Sequence, residues 1–239
     1  MRGRLFPVLL AWTAVAAGCI TRPPTIAHVH IGHAITGVHV TPGHLGYVPL
    51  AAQRADEALA AARDATHAPD LTVLQRAVAA VALACDNPNE FGVKQALTLA
   101  ANHIAFAATS ADASENVIRF APVFKASIAP VLERCDYIVL LSQDVQGSPA
   151  FRDASVVAQE ILKNAEDNVR GVNPGDAAGA VRPGGGMTQI RADVDAMVAR
   201  ERPPYRTVDQ WYLFNLVRLP NGLWVFDRLS RGGNIDGYK

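Results

Sequence analysis

The sequence predicts a mainly α-helical fold: a bundle of about five helices, followed by a further helix and a β-hairpin. Three observations carry that prediction. Residues 48–170 are rich in alanine and place apolar side chains three and four positions apart, the period of helices with one buried face. Cap and stop residues punctuate that stretch at helical intervals. Beyond it, Asn221-Gly222 sits between two apolar and aromatic runs, the strongest short-range hairpin signal.

Taken in order, Pro49 suits the first turn of a helix running to about His67. Asp70 is placed to cap the next, Leu71 to Ala84, which stops at Asp86-Asn87-Pro88-Asn89. A third helix covers about Phe91 to Thr109. Ser114 then opens a long fourth, in which Pro122 and Pro130 are expected to produce kinks. Gly147-Ser148-Pro149 ends it, and a fifth runs from about Ala150 to Val169. With so many alanines, the helix axes can approach closely, so the core needs few aromatic rings.

Residues 171–187 carry too much Gly and Pro to pack and read as a linker and domain boundary. A short helix follows, Thr188 to Arg200, with Ile190, Val194 and Met197 on one face. Residues 188–239 thus form a C-terminal part that ends in the hairpin Trp211–Leu219 and Leu223–Leu229. A two-residue turn would set Leu219 opposite Trp224, Val217 opposite Phe226 and Asn215 opposite Arg228, although Pro220 cannot donate a closing hydrogen bond. An isolated hairpin is marginal in water, so this one must dock on the bundle, pair with another strand or meet a partner.

Composition narrows the function. The 239 residues carry 22 basic and 22 acidic side chains, only 18% charged overall, with no basic run to attract a polyanion, so nucleic-acid binding is excluded as a reading. Paired carboxylates such as Asp56-Glu57 and Asp193/Asp195 fall on helical surfaces and serve solubility. Residues 184–188, Gly-Gly-Gly-Met-Thr, open a helix but lack the Lys of a phosphate loop and read as a joint. There is no G-x-S-x-G, H-E-x-x-H or EF-hand spacing, so no catalytic residue is assigned.

The first 18 residues read as a signal peptide: Arg2 and Arg4 precede the apolar run Leu5–Ala17, shorter than the ~20 residues of a membrane span. The run ends in Ala16-Ala17-Gly18-Cys19, which resembles the lipobox of bacterial lipoproteins. Ala16 stands where that family usually has Leu, and Ala14-Val15-Ala16 also offers an ordinary A-x-A cleavage site. The resemblance implies that Cys19 becomes the first mature residue and carries palmitate or a similar acyl chain, with the lipid bilayer as its partner. Ile20, not Asp, follows Cys19, which implies the outer membrane, facing the periplasm. Without Arg2 and Arg4 the mature chain has 20 basic against 22 acidic residues.

Two cysteines remain after Cys19. In an oxidising compartment Cys85 and Cys135 read as one disulfide, whose closure contributes about 4 kcal/mol in the chain-entropy model. The alternative is two buried thiols.

All seven histidines precede residue 104, and His28, His30, His33, His39 and His44 crowd into the N-terminal segment 19–47. If Ile26–Val38 is helical, His30 and His33 fall at i and i+3, where two imidazoles can converge on one ion. If it is a strand, His28 and His30 share a face. His39 or His44, at the Thr41-Pro42-Gly43 turn, would then complete the set. Imidazole donors suit Zn, Cu(II) or Ni, and haem is the other cofactor consistent with paired histidines. His103, on a largely apolar helix, needs a cofactor or a hydrogen-bond acceptor if it faces inward. The competing readings are adventitious metal affinity and histidines that bind nothing.

The strings HVHIGHAITGVHVTPGHLG, GVKQALTLAANHIAFAA and ASENVIRFAPVF resemble segments of exported helical proteins of proteobacteria, which share an H-x-G-H before a Thr-Pro turn and a later His-Ile helix. The resemblance spans residues 28–124, implies a helix at Ile26–Val38, and groups His30, His33 and His103. Those relatives carry further histidines where this chain has Gln75-Arg76 and Phe120-Ala121-Pro122. Three functions follow: an envelope lipoprotein with a non-enzymatic binding role toward an envelope protein; a metal- or haem-binding envelope protein; and an enzyme using that metal as a Lewis acid.

Overall fold

The computed structural model describes residues 25–172, 184–202, 205, 216–218 and 224–226. The expected signal peptide, Cys19, the middle of the 171–187 segment and most of the expected hairpin lie outside the described residues. Seven α-helices are described, and the fold is mainly α: α1 Ile26–Ile35, α2 Tyr47–Thr66, α3 Leu71–Cys85, α4 Val93–Thr109, α5 Glu115–Gly147, α6 Phe151–Arg170 and α7 Met187–Arg200. A 3-10 turn at Pro42–His44 joins α1 to α2.

Helix α2 shows why the bundle forms. Its buried alanines, Ala51, Ala55, Ala58, Ala62 and Ala65, recur at alternating spacings of four and three, giving a narrow seam without bulk. Along it α2 packs against α3, α4 and α6, while α5 packs against α3, α4 and α6 from the other side. Val78, Val81, Leu97, Ile104, Val131, Ile138 and Ile161 fill the space between, and Phe124 is the fully buried aromatic ring among the described residues. Among the described residues no helix is long and apolar enough to cross a membrane.

The predicted caps are in place. Asp70 accepts a hydrogen bond from the Val73 backbone N–H at 2.9 Å, and Ser114 from that of Val117 at 3.1 Å. Replacing Asp70 with Ala is therefore expected to cost about 1 kcal/mol of stability, read as a lower urea midpoint with an unchanged slope. Helix α5 runs as one element through Pro122 and Pro130, whose missing N–H groups leave the Ile118 and Ala126 carbonyls without their usual helical donors.

The linker region departs from expectation. Its ends are ordered: Gly171–Val172 (β1) pairs antiparallel with Gly184–Gly185 (β2), and α7 packs on α5 and α6 within the same compact unit, Ile26–Thr207. A domain boundary therefore does not separate α7 from the bundle. Glycine is required because the two passes touch. Gly171 has φ +85°, and a Cβ there would lie 2.7 Å from the Gly186 nitrogen; one on Gly184 would meet the Pro130 ring at the same distance. One helical turn beyond Pro130, Arg134 is fully buried and holds the junction, donating from Nε to Asn168 Oδ1 at 3.0 Å and from an Nη to the Gly185 carbonyl at 2.8 Å.

The expected Cys85–Cys135 disulfide is not formed. Both are buried free thiols on α3 and α5, hydrogen-bonded together, and Asn168 Nδ2 donates to Cys135 Sγ at 3.3 Å. The Cys85 contact and burial push the Cys135 thiol well above its ordinary range, which keeps it protonated.

Beyond the compact unit, the described residues are Thr25 and the two strands of the hairpin. Strand β3 (Leu216–Arg218) pairs antiparallel with β4 (Trp224–Phe226), setting Leu216 opposite Phe226, Val217 opposite Val225 and Arg218 opposite Trp224. This register is one residue away from that of a two-residue Asn-Gly turn. The ideal turn asks for a donor at Pro220, which has none.

Candidate metal centre

Helix α1 has ten residues, too few to be stable by itself in water, so its surroundings must hold it. They do so at both faces. Ala27, Ile31 and Ala34 are buried, and the helix packs chiefly on α4. Its first two backbone N–H groups, of Ile26 and Ala27, donate to the two oxygens of Asp112 at 2.7 and 3.1 Å, so a carboxylate from the α4–α5 connection satisfies the open end of the helix.

This docking carries His30 and His33 to α4, where His103 precedes the buried Ile104. The three histidines each offer one ring nitrogen within 4.8 Å of the others. His30 Nδ1 and His103 Nδ1 are 3.2 Å apart, and the His33 and His103 rings meet edge to face with centroids 4.9 Å apart. Tyr47 stacks on His103 at 5.4 Å, and Phe106 lies 5.5 Å from His30. All three histidines are half-buried, whereas Phe106 is 54% exposed, so the cluster lies just beneath the surface.

Electrostatics favour neutral rings. Burial, then the neighbouring His33 and His30, lower the His103 pKa to about 4; burial also lowers that of His30, with Asp112 opposing. The unfolded chain binds a proton at His103 below about pH 6.5, whereas the folded chain resists it until about pH 4. The stability of the metal-free protein is therefore present in full above pH 6.5 and falls as the pH drops from there toward 4. Urea midpoints measured across that window should show the decline, and His103→Phe should reduce it.

The structure does not gather the other predicted ligands. His28 turns away from its neighbours on α1: its Nε2 lies 3.3 Å from Glu201 Oε2, and its ring meets Tyr205 edge to face. His39 and His44 are exposed and stacked on each other at 5.3 Å, with His44 Nδ1 donating to the His39 carbonyl at 3.1 Å. The turn fixes them there, since Gly43 and His44 take φ values of +64° and +55° in succession. Haem between His103 and His30 or His33 does not fit, because rings this close cannot lie on opposite faces of a porphyrin.

Several contributors carry no sequence signal. Asp112 falls between the expected third and fourth helices and Glu201 just past the expected helix Thr188–Arg200, yet Glu201 is only 1% exposed and accepts from Ser114 Oγ at 2.7 Å, from Asn116 Nδ2 and from His28. Tyr205 shares a 2.7 Å hydrogen bond with Thr36, just past α1. Comparison with protein-family models, with curated proteins and with solved structures finds no match to this chain.

Proposed function

We propose that this chain is an envelope lipoprotein, tethered through acylated Cys19, whose helical domain binds one divalent transition-metal ion through His30, His33 and His103 in a storage, delivery or sensing role. The observation that carries the reading is the 3.2 Å separation of His30 Nδ1 and His103 Nδ1 beside the third imidazole. An ion 2.0–2.1 Å from each of two nitrogens at the tetrahedral angle sets them about 3.3 Å apart. Without metal, one nitrogen must donate its proton to the other; an ion between them takes the place of that proton.

The donor set selects the metal class. Three imidazoles, with no thiolate or carboxylate in the described cluster, suit Zn(II), Cu(II) or Ni(II) and are poor hosts for Mg or Ca. The low proton affinity of His30 and His103 keeps both available as ligands at neutral pH. Calorimetric titration of tag-free protein is expected to give one Zn(II) or Cu(II) per chain, abolished in the His30→Ala/His33→Ala double variant. A wild type that takes up no ion, or a double variant that binds equally, would overturn the reading. The tether is checked separately: radiolabelled palmitate should enter the wild type and not Cys19→Ala.

A further inference from the structure

Three imidazoles complete neither the usual four-coordinate shell of Zn(II) nor the charge balance of a divalent ion, because imidazole coordinates as a neutral donor. The nearby acid that acts on His30 electrostatically is Asp112, and both its oxygens are engaged by the first N–H groups of α1. The described donors that converge are the three histidines, with no fourth His, Cys, Asp or Glu among the described residues joining them. On the outer side Phe106 flanks both His30 and His103, at 5.5 and 6.1 Å, and is more than half exposed.

We infer that the ion keeps one coordination position open to solvent on the Phe106 side and takes a small anion there. The inference rests on the metal reading above and deepens it by naming a ligand class. A divalent charge with no anionic protein ligand attracts hydroxide, azide or a carboxylate more strongly than a neutral donor, and the half-buried setting screens that attraction less than bulk water does. The coordination is a simple ligand exchange, in which bound water leaves as the anion enters.

The test uses metal-free mature protein loaded with one equivalent of Co(II), whose visible bands report its ligands, and titrated with sodium azide. The expected result is a shift of those bands that saturates at one azide per ion, with Co(II) still retained on dialysis. Phe106→Glu, at an exposed position that leaves the fold intact, should bind Co(II) one to one and weaken azide affinity at least tenfold. Bands that do not move while Co(II) stays bound would overturn the inference and leave the metal reading standing, as would unchanged azide affinity in Phe106→Glu. Failure to take up Co(II) at all would instead remove the metal reading, and this inference with it.

Discussion

His103→Phe is expected to lose metal binding while remaining folded. The substitution keeps a ring of similar size against Tyr47 and Phe106 and removes the donor that α4 contributes. Disturbing even the outer partners of a metal ligand typically lowers affinity 10–100-fold, so removal of a ligand should weaken binding by at least about 100-fold. The effect is visible in unfolding experiments. With free Zn(II) at about a hundred times its dissociation constant, a one-site protein gains about 2.7 kcal/mol. Wild type should show that gain as a higher melting temperature, and His103→Phe should gain at most about 0.4 kcal/mol, a much smaller rise. His103→Ala would also open a gap beneath Tyr47, so it tests packing and ligation together and is the less clean variant.

The second large effect is expected at Glu201. Its carboxylate is buried at the C-terminal end of α7 and receives hydrogen bonds from Ser114 and Asn116, at the start of α5, and from His28 on α1. Removing the acceptor of several buried hydrogen bonds costs about 1–3 kcal/mol for each donor left unsatisfied, because those groups keep their desolvation penalty without compensation. Glu201→Ala should therefore lower stability by about 3 kcal/mol in urea unfolding. Glu201→Gln, which keeps an acceptor for Ser114 and Asn116, should lose less. Because His28 shares α1 with His30 and His33, both variants should also weaken Zn(II) binding, with Glu201→Ala the weaker of the two. Unchanged stability in Glu201→Ala would show that the clasp contributes nothing to holding α1.

Much of the bundle was legible because its signals are local. The alanine seam of α2 repeats within the helix itself, and Asp70 and Ser114 cap through atoms three residues away. Where the cue was weaker, the boundary moved: the helix expected from Phe91 begins at Val93, after Gly92, whose N–H is accepted by Gln95 Oε1. The hairpin register slipped by one residue because an Asn-Gly turn and a preceding proline give opposing instructions.

The site was legible only in part, for a physical reason. Helical spacing brings His30 and His33 together, and the apolar run around His103 marks a ring near the interior. Nothing local predicts that His28, two residues before His30, faces Glu201 from a helix more than 150 positions later. Nor does spacing reveal the Asp112 cap, since its donors lie 85 and 86 residues away in sequence. The cysteines show the converse: an even pair says that two sulfurs can meet, and the structure brings Cys85 and Cys135 together as hydrogen-bonded thiols.

The most direct test is X-ray absorption at the metal edge of protein loaded with one equivalent of Zn(II). Ligation by His30, His33 and His103 predicts a shell of nitrogen and oxygen scatterers at about 2.0–2.1 Å that includes three imidazoles, with no sulfur. A sulfur scatterer near 2.3 Å, or a shell lacking histidine, would contradict it.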